Sequence, residues 1–241
     1  SMRLSTLLRS AANSMNSSLR TKSAQQLAFL DADHCIVVDE NDRIVGGATK
    51  REVHHRSTIQ LHRAFSVFAF TPSKQLILQK RAASKVTFPS LWTNTCCSHP
   101  LTGMTVDETD GEKGVMKAAV RKLDHELNLA GVTDTELMCM GRFLYKAAPE
   151  GVEWVEHELD YALVLRSIDE SRVASPNDDE VESVRFVGEE ELNEWMKKEP
   201  TQFSPWFTHF CQIGVLSQWW ARLNDTQALQ ALKTNAITRM N

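Results

Sequence analysis

Apolar positions along the chain fall into short runs of strand length and two longer helical series, divided by polar turns. Leu27 to Leu30 closes a small helix, and Cys35-Ile36-Val37-Val38 is an apolar strand. Asp39-Glu40-Asn41-Asp42 turns the chain into a returning strand, Ile44 to Ala48. Residues 49–63 are polar and lack periodicity, which predicts a loop leading into a strand from Ala64 to Phe70. After the turn Thr71-Pro72-Ser73-Lys74 comes the strand Leu76 to Arg81, whose alternation sets Lys80 and Arg81 on opposite faces. Trp92 to Pro100 is extended, so Cys97 and His99 share one face while Cys96 and Ser98 point away.

A helix is predicted from about Glu112 to Leu129, with Val115, Ala119 and Leu123 as its buried stripe and Lys122 and Glu126 together on a neighbouring face. Met138 to Lys146 is a strand carrying Tyr145. The strand Trp154 to Leu165 puts Glu156 and Glu158 on one face and Val155, His157 and Leu159 on the other. An acidic connector, Arg166 to Glu180, leads to a short strand, Val184 to Val187, and a helix, Glu189 to Lys198. The last helical series, Pro205 to Leu223, opens with Ser204 as N-cap and proline at the first position. Phe207, Phe210, Ile213, Leu216 and Trp220 form its core stripe, leaving Trp206 at the first turn to reach a pocket.

Composition narrows the class. The 241 residues are 42% hydrophobic with a formal charge of -4, which fits one globular domain with elaborations. There is no dense basic tract to engage nucleic acid, and no apolar run near the roughly 18 residues of a membrane span. Cys35, Cys96, Cys97, Cys139 and Cys211 are odd in number and show no C-x-x-C pair, which implies a reducing, intracellular compartment. Met2 to Leu27 has no acidic residue, and Arg3, Arg9, Arg20 and Lys22 sit among serines beside the series Leu4, Leu7, Leu8, Ala11, Met15. Residues 1–26 therefore read either as a mitochondrial or plastid leader or as a peripheral basic helix on a cytoplasmic protein.

Several clusters carry candidate chemistry, each with a plainer alternative. Cys97 and His99 taken alone make a buried free thiol beside a core histidine. His54, His55 and His62 form a histidine-rich loop, either a site or a set of solvated loop histidines. Glu156 and Glu158 repel on one strand face, and the simplest compensation is a metal cation or, failing that, exposure to water. Arg81 and Lys85 suit a diphosphate or a solvated edge. Lys122 and Glu126 read as a surface ion pair, or as a phosphate cation beside a magnesium carboxylate.

Thr49-Lys50, Leu61 to Ser66, Arg81-Ala82-Ala83-Ser84-Lys85, Trp92 to Pro100, Glu156-His157-Glu158 and Ser204-Pro205-Trp206 follow one another in an order that resembles the type I isopentenyl diphosphate isomerases, a Nudix-fold family. The resemblance spans about Leu27 to Leu223. It implies an α+β fold: a Nudix-like α/β/α sandwich with a mixed sheet, extra N-terminal strands and C-terminal helices, with residues 27–223 as the domain and 224–241 as a peripheral helix or tail. It also implies isomerisation of isopentenyl to dimethylallyl diphosphate through a tertiary carbocation. His54, His62, His99, Glu156 and Glu158 would hold one divalent metal, manganese, magnesium or zinc, with His55 as an alternative first histidine. Lys50, Arg81, Lys85 and Lys122 would grip the diphosphate, and Glu126 its magnesium ion. Cys97 and Glu158 would exchange protons on opposite faces of the substrate, Tyr145 bonded to the carboxylate and Trp206 facing the cation. The expected partner is a small isoprenoid diphosphate, bound by a monomer or weak homodimer.

The chain departs from that pattern in three places. Lys122 stands for an arginine, and Asn128 for the glycine after the Glu-Leu pair, which predicts a different turn there. The box Arg121 to Glu126 lacks the glutamate after the arginine and has His125 where the hydrolase box carries another, leaving Glu126 alone for magnesium and weakening the rival reading as a nucleotide hydrolase. A catalytically silent binding protein is the second rival; it should lack Cys97, Glu158 or a histidine, and all are present.

Overall fold

The structure is a computed structural model that describes residues 26–173 and 175–240, so the leader-like segment lies outside the described residues except for Gln26. Helix α1 (26–32) leads into the hairpin β1 (His34–Val38) and β2 (Ile44–Thr49), followed by α2 (Lys50–His54). Strands β3 (His62–Ala69), β4 (Leu76–Arg81), β5 (Trp92–Thr93) and β6 (Cys96–Ser98) precede the long helix α3 (Gly111–Leu127). Then come β7 (Met138–Ala147), β8 (Glu156–Leu165), β9 (Val181–Val187) and α4 (Glu189–Lys198). Helices α5 (Pro205–Gln212), α6 (Val215–Trp220) and α7 (Thr226–Gln230) and the strand β10 (Ile237–Arg239) close the chain.

The main sheet is mixed, in the order β10-β7-β8-β3-β1-β2, with β6 also paired to β3; β5-β4-β9 make a second, three-stranded sheet. Alternation along β3 divides the core. Phe65, Val67 and Ala69 face α3, packing with Val115, Ala119 and Leu123, while Phe68 and Phe70 face the C-terminal helices with Phe207, Phe210, Trp219 and Trp220. Each of the larger buried side chains, Val, Leu or Phe, contributes roughly 1.5–3 kcal/mol of transfer free energy. The expected sandwich of helices on both faces of a mixed sheet is therefore present, and β8 behaves as predicted: Tyr161, Leu163 and Leu165 go to α3, Ala162 and Val164 to the opposite face.

Five local expectations need correction. The stretch expected as a loop at 49–63 contains α2, because Thr49 and Glu52 form a reciprocal capping box that nucleates one turn without any apolar periodicity. The helix expected from Pro205 to Leu223 is two helices, broken where Gly214 adopts φ +76°. Ser204 does not cap α5 with its side chain, donating instead to Thr93 Oγ1 at 2.8 Å. Residues 224–241, expected as a peripheral helix or tail, carry α7 and then β10, which pairs in parallel with β7, and Leu229 and Met240 are buried. Asn128 also fails to turn the chain differently: it takes φ +51° at the end of α3, the left-handed conformation that asparagine tolerates better than most side chains.

One close approach fixes the rim of the site. A Cβ at Gly114 would lie 2.3 Å from the carbonyl oxygen of Glu108, so glycine lets the loop before α3 fold onto the helix. There the buried Glu108 accepts from Arg121 Nε at 2.6 Å and Nη2 at 2.9 Å, and from the Leu101 N–H at 2.8 Å. Arg121 Nη2 also reaches the carbonyl of His99 at 3.3 Å, which ties this clamp to the histidine.

Candidate active site

Strand register assembles the site. His62 pairs with Glu158 across the parallel β3-β8 ladder, Tyr145 pairs with Glu158 across β7-β8, and Ser66 pairs with Cys97 across β3-β6. Because paired residues share a face, Cys97, Glu156 and Glu158 all project to the side of the sheet opposite α3. Cys96, paired with Val67, goes to the α3 side, as the alternation predicted.

His54 at the end of α2, His62 at the start of β3, His99 after β6, and Glu156 and Glu158 on β8 each offer a ligand atom within 4.8 Å of all the others, and all five residues are buried. Their imidazoles are oriented from behind. His54 Nδ1 lies 2.8 Å from the carbonyl of Lys50, one helical turn earlier, and His62 Nδ1 lies 2.9 Å from the carbonyl of Gln60. A carbonyl only accepts, so each Nδ1 carries the proton and each Nε2 turns a lone pair inward. His54 Nε2, His62 Nε2 and Glu156 Oε2 are buried without a hydrogen-bond partner, although His54 Nε2 and Glu156 Oε2 are 3.0 Å apart. Converging, unsatisfied lone pairs call for positive charge between them. Burial pushes the His54 pKa down, but Glu156 and Glu158 outweigh it and hold it above the ordinary value; burial and the two neighbouring histidines push His99 well below. A proton serves two donors and a divalent ion serves five, so the residues fit a metal. His55 does not join them: it bonds Ser57 and Glu153 and packs edge-on to Trp154.

Glu158 is shared between this cluster and the cavity beside it. Its Oε2 accepts from the Tyr145 hydroxyl at 2.5 Å, and its Oε1 lies 2.8 Å from His99 Nε2 and 3.6 Å from His62 Nε2. Burial favours the neutral acid, but the neighbouring His62, with Glu156 and His54, holds the pKa down at about 2. Tyr145 is pushed well above its ordinary value by burial and by Glu158, so it keeps its proton and donates it.

The cavity is lined by Cys97, Glu158, Tyr145 and Trp206 and by Lys50, Arg81 and Lys85. The Cys97 thiol is pushed up to about 12, burial outweighing the Arg81 guanidinium whose Nη1 lies 3.5 Å from Sγ. Arg81 was expected as a diphosphate cation, yet its Nε and Nη2 donate to the carbonyls of Thr87 and Phe88, and its Cζ sits 5.4 Å from the Trp206 ring centroid. Lys85 and Lys122, also expected at the diphosphate, pair with Glu126 and with a partner that the pattern did not point to, Glu180. Lys122 Nζ lies 3.0 Å from Glu126 Oε1 and 3.7 Å from Glu180 Oε1, and Lys85 Nζ bonds Glu180 and lies 3.9 Å from Glu126. Glu180 ends the acidic connector Arg166 to Glu180, which the sequence assigned no role. The chain brings it inward because the N–H of Asn177 bonds the carbonyl of Glu126 and the N–H of Glu180 closes a turn on Asn177. Both carboxylates are held below the ordinary range by these lysines, against burial.

The NUDIX domain family matches residues 60–207 of the chain. An isopentenyl-diphosphate Delta-isomerase II of Arabidopsis thaliana, described as chloroplastic, is 41% identical over 229 residues, covering 90% of this chain and 78% of that protein. An isopentenyl-diphosphate Delta-isomerase I of Camptotheca acuminata is 39% identical over 229 residues, covering 90% and 95%. An isopentenyl-diphosphate delta-isomerase of Gibberella zeae is 39% identical over 226 residues, covering 90% and 86%. Among the described residues no helix is long and apolar enough to cross a membrane.

Proposed function

The chain belongs to the isopentenyl-diphosphate Delta-isomerase family, built on a NUDIX domain, and from that premise we propose that it converts isopentenyl to dimethylallyl diphosphate by two proton transfers, through Cys97 and Glu158. One observation carries the assignment. Glu158, which accepts from the Tyr145 hydroxyl, shares its cavity with a protonated thiol and an indole. Moving a carbon-carbon double bond adds a proton at one carbon and removes one from another, so an acid and a base must flank the alkene. An unactivated alkene is a weak base, and the tertiary cation formed on protonation needs stabilisation without a nucleophile that would trap it. The Trp206 ring supplies an electron-rich face for that cation in a buried setting, a cation-π attraction of about 2 kcal/mol or more when desolvated.

Lys50, Arg81 and Lys85, which line the cavity, grip the diphosphate together with Lys122, which shares Glu126 and Glu180 with Lys85, and Glu126 would hold the magnesium ion that accompanies it. Lys122 keeps the charge of the arginine it replaces and gives up the bidentate fork. Fixing the charged end places the alkene between Cys97 and Glu158, so binding at one end serves reaction at the other. His54, His62, His99, Glu156 and Glu158 would hold a divalent ion whose charge would fix the Glu158 carboxylate and set its acidity. Three imidazoles favour manganese or zinc over magnesium.

The experiment for the activity is incubation with isopentenyl diphosphate in deuterated water. Dimethylallyl diphosphate carrying deuterium at the newly protonated carbon is expected. Release of phosphate without isomerisation would replace this reading with a hydrolase, and no turnover of any kind with a silent binding protein. For the ion, elemental analysis should find about one tightly held divalent metal per chain, lost in His62→Ala while the far-UV circular dichroism is kept. Equal metal in that variant would remove His62 from the ligand set.

A further inference from the structure

Between the thiol and the indole lies a fully buried carboxamide that touches the supports of both. Asn94 Oδ1 accepts from Trp206 Nε1 at 3.0 Å and from Thr93 Oγ1 at 2.8 Å; its Nδ2 donates to the carbonyl of Cys96 at 2.9 Å and to that of Val67 at 3.1 Å. An asparagine side chain has two lone pairs and two N–H groups to place, and all four are placed. Exchanging its oxygen and nitrogen would set two donors against donors and an acceptor against two carbonyls, so the environment fixes which way the amide points. Ser204 Oγ extends the chain by donating to Thr93 Oγ1, and the N–H of Ser204 bonds the carbonyl of Trp92. Asn94, Thr93 and Ser204 have no measurable exposure.

We propose that Asn94 is the positioning residue of the isomerase site, holding the Trp206 indole and the strand that carries Cys97 in one fixed relation across the cavity. The proposal rests on the isomerase reading. The indole N–H is the single polar handle of Trp206, and its bond to Asn94 sets the rotation of the ring at the side where a cation forms. The Cys96 carbonyl is part of the peptide bond that leads directly into Cys97, so the same amide restrains the backbone under the thiol. Displacement of a reacting group by about 1 Å costs on the order of 100-fold in rate. A side chain that ties both groups together therefore acts on turnover, whereas the diphosphate grip depends on lysines it does not touch.

The test uses the full chain labelled with nitrogen-15 in its six indoles, the Trp206 signal being assigned by its loss in Trp206→Phe. In Asn94→Ala the Trp206 N–H should exchange with deuterated water at least about tenfold faster and kcat should fall about 10- to 100-fold, with affinity for inorganic pyrophosphate within about twofold and the other indole signals in place. A kcat within about threefold of the unaltered chain overturns the proposal. So does a loss of pyrophosphate affinity in step with kcat while all the indole signals move together, which marks a merely structural residue. If that variant does not fold, Thr93→Val removes one donor to Oδ1 without cutting the amide. Faster Trp206 exchange and a fall in kcat of about three- to tenfold are then expected, and no change in either overturns the proposal. Absence of isomerisation by the unaltered chain would instead overturn the isomerase reading, and this proposal with it, and is told apart because no variant is needed to see it.

Discussion

Glu158→Gln is expected to lower isomerase turnover by about 10³- to 10⁴-fold while the protein stays folded, the upper range for removal of a general acid or base. The substitution keeps the volume of the side chain and the possibility of accepting the Tyr145 hydroxyl, whose oxygen is 2.5 Å away. It removes the negative charge and the ability to carry a proton to or from carbon. An amide N–H on the other side would face His99 Nε2, now 2.8 Å from Oε1, so the inward lone pairs of the histidines would meet a donor instead of a carboxylate. Metal content should be measured on the same sample. Turnover lost with the ion retained identifies Glu158 as a proton carrier; turnover lost only in proportion to the ion makes it a ligand and no more. A variant with its ion and more than about a tenth of the original turnover would remove Glu158 from the proton-transfer pair.

Glu156→Gln gives the contrast. Glu156 Oε2 lies 3.0 Å from His54 Nε2, and Glu156 does not bond Tyr145. If the two carboxylates differ as their neighbours indicate, the Glu156 variant loses its ion before it loses chemistry, and added metal restores part of the rate. The difference was legible in the chain only in outline. Alternation placed both carboxylates on one face, but which of them meets Tyr145 depends on the register of β7 on β8, including the irregularity at Cys139–Gly141. No local pattern states a register.

Other features follow the same division. Cys96 and Cys97 were separable from strand alternation alone, and the stripe of α3 from its spacing, because both rest on periodicity within one element. Residues 49–63 read as a loop because a five-residue helix fixed by a capping box has no room for a hydrophobic period. That turn matters, since it puts Lys50 and His54 one above the other and lets the carbonyl of the first orient the ring of the second. Glu180 and Asn94 were both missed. Glu180 ends an acidic connector to which the sequence assigned no role, and only a tertiary turn on Asn177 carries it to the lysines. Asn94 lies inside the Trp92 to Pro100 stretch, but its four partners come from three separate parts of the fold, which no local pattern states.

Cys97→Ala carries the other large effect, a loss of about 10²- to 10⁴-fold in turnover with the diphosphate grip intact. Burial pushes the thiol up to about 12 even with Arg81 Nη1 at 3.5 Å, so the group is neutral near pH 7 and holds a proton it can transfer. Arg81 then has a clear electrostatic function: when the proton leaves, the thiolate forms beside a guanidinium that is already in position, anchored by the carbonyls of Thr87 and Phe88. Alanine removes the proton and the sulfur to which Arg81 Nη1 points. The adjacent Cys96 cannot take over, because strand alternation turns it to the other side of the sheet, where its Sγ lies 3.5 Å from Glu126 Oε2. Steady-state kinetics on Cys97→Ala and Cys96→Ala separate these positions: the first should lose kcat with little change in pyrophosphate affinity, and the second should lose far less. Comparable kcat losses in the two variants would mean that the thiols matter through packing, and Cys97 would no longer stand opposite Glu158 in the proton transfers.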